Sequence, residues 1–147
     1  MTPRYKHTQI GYVWIISLVA MLIYTSYFII LIGFNPFLII LIILFVTFAI
    51  CLALFPTLSI EINENNLKIR FGPGIIKKNF LLRDIESCKM VKNHWYYGWG
   101  IHLTPHGWLY NISGFLAVEI QMKSGKKYRI GTDEPKKFIK AIQQSLG

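Results

Sequence analysis

"LSIEINENNLKIRF", residues 58–71, is the point at which the chain changes its period. Leu58, Ile60 and Ile62 alternate with Ser59 and Glu61, and after a polar stretch Leu67, Ile69 and Phe71 alternate with Lys68 and Arg70. A period of two is that of a strand with one buried face. Pairing Ile62 with Leu67 across residues 63–66 sets both apolar triplets on the same side, so the stretch predicts a β-hairpin. Everything before it has another character.

Between Lys6 and Glu61 lie 54 residues without a Lys, Arg, Asp or Glu, where one membrane span needs only about 20. Residues 10–32 and 37–55 are almost wholly apolar. As helices they reach about 34 Å and 28 Å, enough for a hydrocarbon core of about 30 Å, the first with tilt. Between them "GFNP", residues 33–36, holds a helix-ending Gly and a turn-forming Asn-Pro. Four residues hold no domain, so the spans form an antiparallel hairpin. A signal peptide is the rival for the first span, but the apolar core is too long and no small-residue cleavage site follows. Arg4 and Lys6 precede the first span, and Lys68, Arg70, Lys77 and Lys78 follow the second, while the turn between carries no charge. The positive-inside bias then puts both termini in the cytoplasm, making a multi-pass protein of the plasma (inner) membrane. Residues 1–57 are read as tail and hairpin, and 58–147 as a cytoplasmic domain.

Past residue 71 the alternation continues. "IIKKNFLLRDIESCKMV" (75–91) gives two less regular strands about a corner at Leu82-Arg83-Asp84. "WGIHLTPHGWLYNI" (99–112) gives a hairpin whose turn contains Pro105, which fixes φ near −65° and excludes the primed two-residue turns. A type I turn over residues 104–107 pairs Leu103 with Trp108 and Ile101 with Tyr110, and places Trp99, Trp108 and Tyr110 on one apolar, core-facing side. In "AVEIQMKSGKKYRIG" (117–131) a turn with Gly125 as bulge residue brings Tyr128 and Ile130 opposite Ile120 and Val118. "TDEPKKFIKAIQQSLG" (132–147) opens with Thr132 or Asp133 as cap and an early Pro135. It then spaces Phe138, Ile139, Ile142 and Leu146 as the apolar stripe of a helix. The expected fold is a transmembrane helical hairpin, then about seven antiparallel strands and a C-terminal helix.

That order, with the phrases "WYYGWGI", "GWLYNISG", "AVEI" and "YRIGTDEP", resembles the bacterial pleckstrin-homology-like (PH-like) domains of small membrane proteins with two spans. The resemblance covers residues 58–146. It implies an all-β, partly open barrel plugged at one end by the helix, with no catalytic residues. Likeness to eukaryotic PH domains would imply phosphoinositide headgroups. A Lys-x-Arg pair is present at Lys68 and Arg70, but the first loop, "NENN", carries an acid and no basic residue.

Chemistry is sparse. The two cysteines, Cys51 and Cys88, lie in the apolar run and in a strand-like segment, and read as packing residues. His94, His102 and His106 fall close together in sequence, yet no carboxylate or thiolate at ligand spacing joins them, so no metal site is expected. The seven acids are scattered, and Asp133-Glu134 suits a helix start. With no phosphate loop, nucleophile elbow or cofactor motif, the reading is of a protein that is not an enzyme and holds no cofactor.

Charge and aromatics remain. Fourteen of the sixteen Lys and Arg follow residue 57, against all seven acids. Held beside the bilayer by Pro56-Thr57, a basic domain lies within a Debye length of anionic headgroups, and tethering argues against nucleic acid as partner. Trp95, Tyr96 and Tyr97 are consecutive, so at least one points away from the interior, and Gly98 permits close approach; packing within the domain, an interfacial anchor in the headgroup layer and a peptide- or lipid-binding rim all fit the segment. The candidate ligand-binding residues are therefore Trp95, Tyr96, Tyr97 and Gly98, with the lysine pairs Lys77-Lys78 and Lys126-Lys127. The expected function is a PH-like module at the cytoplasmic leaflet that binds anionic lipid headgroups or a protein segment. The alternative is a structural or assembly subunit acting on a membrane-protein partner through its hairpin, whose Ser17, Ala20, Thr25, Ser26, Thr47 and Ala49 permit close helix packing.

Overall fold

A computed structural model of the chain describes residues 4–33 and 35–146. Residues 1–3 of the expected tail, Phe34 of the expected turn and Gly147 lie outside them. The helices α1 (Tyr12–Ile32) and α2 (Phe37–Leu54) are long and apolar enough to cross a membrane, and they pack against each other as a hairpin. Gly33 ends α1 with φ 62°, and the Asn35 side chain accepts the Phe37 N–H at 3.1 Å where α2 begins. The second helix stops at Leu54, one residue short of the expected span, because Phe55 leaves helical geometry as its C-cap.

The first span differs more. Ile10 belongs to a strand, β1 (Tyr5–Ile10), which pairs with β2 (Thr57–Ile62) in antiparallel register from Tyr5↔Ile62 to Ile10↔Thr57. Tyr5, His7 and Gln9 alternate with exposed Lys6, Thr8 and Ile10, a strand pattern too short to stand out before the apolar run. At the junction the Gly11 N–H donates to the Pro56 carbonyl at 3.0 Å. A Cβ on Gly11 would lie 3.2 Å from the Ile112 carbonyl oxygen, so the chain passes there as glycine. Each helix of the hairpin thus runs directly into one of two paired strands, and both strands leave the same end of it.

Among the described residues nine strands form, not about seven, and they make two open sheets rather than a barrel. The first sheet has the order β1-β2-β3-β4, with β3 (Asn66–Phe71) and β4 (Ile76–Leu81). The second has β5 (Ile85–Lys92), β8 (Leu116–Met122), β9 (Lys127–Gly131), β7 (Gly107–Asn111) and β6 (Gly100–Thr104), in that order. The expected all-antiparallel pairing fails at one place: β7 and β9 are parallel, because the β6–β7 hairpin docks on the outer side of β9 instead of beside β8. Local hairpin registers hold, with Ile62↔Leu67, Leu103↔Trp108 and Ile120↔Tyr128 all opposed.

The core lies between the sheets. Leu58, Ile60, Ile62 and Leu67 from the first sheet and Val118, Ile120 and Ile130 from the second are fully buried, each worth about 1.5–3 kcal/mol relative to exposure. The helix α3 (Pro135–Leu146) adds Phe138 and Ile142. The Thr132 hydroxyl accepts the Glu134 N–H at its start, and Phe138 stacks on Tyr5 of β1 at 5.9 Å. The apolar side of the β6–β7 hairpin is only partly covered. Tyr110 is buried, but Leu103 and Trp108 are 70% and 44% exposed, because those residues lie at the free end of that hairpin. Trp108 is therefore not the core residue that alternation predicts.

Candidate functional site: a basic sheet face beside the apolar helices

The register of the first sheet determines which side chains share its outer face. One row across the strands is Lys6, Glu61, Lys68 and Asn79; the next, nearer the helices, is Thr8, Ser59, Arg70 and Lys77. The face therefore carries Lys6, Lys68, Arg70 and Lys77 against one acid, Glu61. Arg70 Nη2 lies 3.4 Å from Glu61 Oε2, and the Thr8 and Ser59 hydroxyls are 2.9 Å apart. Glu61, Lys68, Arg70, Lys77 and Asn79 line a shallow depression of about 250 Å³. Ile10 and Thr57 form the row next to the helices, so the Arg70–Lys77 row stands about 7 Å further along the strands. That is within one Debye length at physiological salt.

The sequence-predicted residues do not gather in one place. Lys77 belongs to this face. Lys78 points to the opposite side of β4, with its Nζ 6.0 Å from the centre of the Tyr128 ring, a cation–π distance. It lines a smaller hollow of about 170 Å³ with Ile69, Phe71, Ile76, Ile101 and Tyr110, which Lys77 also borders. Lys126 and Lys127 sit at the β8–β9 turn, beside Gly107, Trp108 and Tyr128. Gly107 is obligatory there: at φ 100° a Cβ would fall 2.1 Å from the Lys127 carbonyl oxygen, blocking the parallel pairing. Lys6, Lys68 and Arg70 were absent from the predicted set. Their signal was the Ile62–Leu67 register itself, which sends Lys68 and Arg70 outward together.

The aromatic segment is a separate feature. Trp95–Tyr97 forms one 3-10 turn, with Trp95 77% and Tyr96 62% exposed and Tyr97 half-buried. Nothing lies within 4 Å of a Cβ on Gly98. His94 stacks on Tyr96 at 5.0 Å, and the Trp99 ring meets Trp14, in the first turn of α1, edge-on at 6.4 Å. At the foot of this loop an ion pair is buried on the second sheet: Arg129 Nε donates to Glu119 Oε2 at 2.7 Å, and Arg129 Nη1 to Asn93 Oδ1 at 3.2 Å. Burial pushes the Glu119 carboxyl up, but hydrogen bonds from Arg129 and Lys89 and their charges outweigh it, holding the group below the usual carboxylate range.

Other polar groups are engaged locally. His102 Nε2 lies 2.6 Å from the Trp99 carbonyl, and burial pushes the Cys88 thiol up, away from nucleophilic use. Within the helices, Ser17, Thr25, Ser26 and Thr47 each donate to the carbonyl four residues earlier, so their hydroxyls are satisfied inside their own helix. Compared with known proteins, the chain matches no family model, no curated protein and no solved structure.

Proposed function

We propose that the chain is a non-enzymatic plasma-membrane protein with both termini cytoplasmic, whose two-sheet domain binds anionic lipid headgroups on the outer face of its first sheet. The observation that carries the reading is the row of Arg70 and Lys77, backed by Lys68 and Lys6, on the sheet whose strands β1 and β2 continue the two apolar helices. Such cations lie within reach of a negatively charged leaflet, where each contributes up to about 1 kcal/mol. Arg70 contributes less, since Glu61 shares its charge. A kinship with PH-like domains is proposed on the C-terminal helix closing onto packed sheets, and on the phrases that carry the resemblance. The nine strands and the parallel pair are this chain's departures from that pattern. The alternative is an assembly subunit acting through its hairpin, where Ser17, Thr25, Ser26 and Thr47 fold their hydroxyls back onto their own helix and, with Ala20 and Ala49, leave room for close packing.

The test uses the full chain reconstituted in mixed vesicles, with energy transfer from its tryptophans to dansyl-labelled phosphatidylglycerol or phosphatidylcholine. A preference for the anionic lipid of about 5- to 10-fold is expected, on the order of 1–1.4 kcal/mol. It should fall with added salt and vanish in the triple variant Lys68→Gln, Arg70→Gln, Lys77→Gln. Equal transfer to both lipids at low salt would overturn the proposal.

A further inference from the structure

Most connections between strands differ in chemistry with the end of the domain they occupy. At the end remote from the helices three carry charge, with Glu64 after β2, Arg83 and Asp84 after β4, and Lys123 and Lys126 after β8, while Pro105-His106 after β6 carries no Asp, Glu, Lys or Arg. Three connections at the helix end carry none: residues 72–75, 93–99 and 112–115 hold no Asp, Glu, Lys or Arg. They hold large exposed apolar side chains instead. Ile75 is 73% exposed, Trp95 77% and Phe115 44%. A fourth, residues 132–134, carries Asp133 and Glu134, but His7 engages both, at 2.5 and 3.5 Å. His7 sits one strand repeat back from the helices.

Contacts hold each uncharged loop at the level where the helices begin. A Cβ on Gly72 would lie 2.6 Å from the Leu54 carbonyl oxygen, so the loop bearing Ile75 abuts the last turn of α2. Ser113 accepts a hydrogen bond from the Gln9 side chain at 3.2 Å, and Ile112 abuts Gly11, so the loop bearing Phe115 flanks the start of α1. The loop bearing Trp95 is tied at one end by the Asn93 N–H to the Phe115 carbonyl, at 2.7 Å, and at the other by Trp99 against Trp14. One loop therefore stands beside α2 and two beside α1. Exposed apolar groups in water cost free energy, and soluble surfaces rarely cluster them. At a membrane–water boundary the same groups, Trp above all, are stabilised.

We propose that these three loops form an apolar collar seated in the headgroup layer, so that the domain is partly inserted into the leaflet and not merely tethered above it. The partner is phospholipid at the boundary between headgroup and acyl chain, continuous with the lipid around α1 and α2. The inference rests on the membrane reading of those helices but not on the basic face. Insertion fixes the domain's tilt and keeps the Arg70–Lys77 row at phosphate level.

Nitroxide labels test it in the full chain, after Cys51→Ala and Cys88→Ala. Labels are placed at Ile75→Cys and Phe115→Cys, with Ser124→Cys at the remote end as the aqueous reference, in neutral phosphatidylcholine nanodiscs. The ratio of collision with oxygen to collision with a water-soluble nickel complex should be at least about three-fold higher at 75 and 115 than at 124. Ratios equal to that at 124 overturn the collar. So does protection from both reagents, which would mean protein, a second copy or another chain, covers these loops. Because the lipid is neutral, this outcome is independent of anionic-lipid preference, and the two proposals fail separately. Should a label unfold the domain, quenching of Trp95 and Trp99 by brominated lipid, in a chain with Trp14→Phe and Trp108→Phe, reads the same boundary. Quenching no stronger than that of a soluble tryptophan would then reject insertion.

Discussion

Removing Arg129 should reverse the way the domain's stability responds to acid. In the native chain the side chains of Arg129 and Glu119 are 8% and 6% exposed, and the carboxylate has one other cationic partner, Lys89, which is itself 69% exposed at 3.3 Å. Breaking a buried pair on one side costs about 3–5 kcal/mol, because the remaining charge is left desolvated. Lys89 retains part of the compensation, so Arg129→Met is expected to cost about 3 kcal/mol, including the hydrogen bond lost to Asn93. The pH dependence carries the sign. Glu119 has a folded pKa below its unfolded value, so its contribution is complete above about pH 4.5 and disappears as pH falls through the folded pKa. In Arg129→Met the burial penalty meets only Lys89, the carboxyl moves above its unfolded value, and the variant gains stability as pH falls from 7 toward 5. Adding Glu119→Leu should recover most of the loss, since an apolar pair of similar volume is often neutral. Urea unfolding of the domain in nanodiscs, followed by tryptophan fluorescence at pH 5 and 7, measures all three. A single-variant cost below about 1 kcal/mol with an unchanged pH slope would show that water reaches the pair and refute the argument.

Four further outcomes are expected. Tyr5 is pushed up to about 12 by its burial and by Glu134 and Asp133, so its phenol should ionise late in an absorbance titration; an early, complete titration of all tyrosines would contradict its burial. Its hydroxyl has no hydrogen-bond partner, so Tyr5→Phe should be neutral or stabilising by up to about 1 kcal/mol in thermal unfolding. Gly107→Ala, which strains a positive φ and meets the Lys127 carbonyl, should cost at least about 2 kcal/mol and disturb the β7–β9 amides in hydrogen exchange. Trp95→Ala should cost below about 1 kcal/mol as an exposed site, whereas Tyr110→Ala should cost about 3 kcal/mol or more; comparable values would erase the division between loop and core.

Local signals in this chain were legible and longer-range ones were not, for a physical reason. A hairpin's register depends on its turn and on the two-residue period, both contiguous in sequence, which is why Ile62–Leu67, Leu103–Trp108 and Ile120–Tyr128 emerge from the pattern alone. Which hairpin packs beside which depends on close approach between distant backbones, and that information sits in single glycines such as Gly107 against Lys127 and Gly11 against Ile112. Neither contact has a periodic trace. Burial suffers the same limit: alternation says that Trp108 shares a side with Tyr110, but not that covering stops between them. The candidate site followed suit, since neighbours within a strand, such as Lys77 and Lys78, point to opposite faces. Lys77 and Lys78 were bound to separate, while Lys68, Arg70 and Lys77 were bound to meet once the strands paired.

The least legible element also constrains the function most. Read by hydropathy, residues 5–10 are a short prelude to a span; in the fold they are the edge strand that makes the first sheet continuous with both helices. A domain joined only through residues 56–57 would pivot on two bonds, and its charged face would sample all orientations to the bilayer. Pairing β1 with β2 replaces that pivot with a six-rung ladder, locked at its far end by Tyr5 on Phe138 and His7 on Asp133. The outer face of the first sheet then has one orientation, upright on the helix ends, with Arg70–Lys77 the charged row nearest them. A truncated chain beginning at Leu58 lacks the strand that opposes Leu58 to Ile62, leaving the β2 edge unpaired and Phe138 without its stacking partner. Binding measured on that fragment would therefore report the loss of β1 together with any loss of tethering, and the intact chain is the form in which the basic face can be judged.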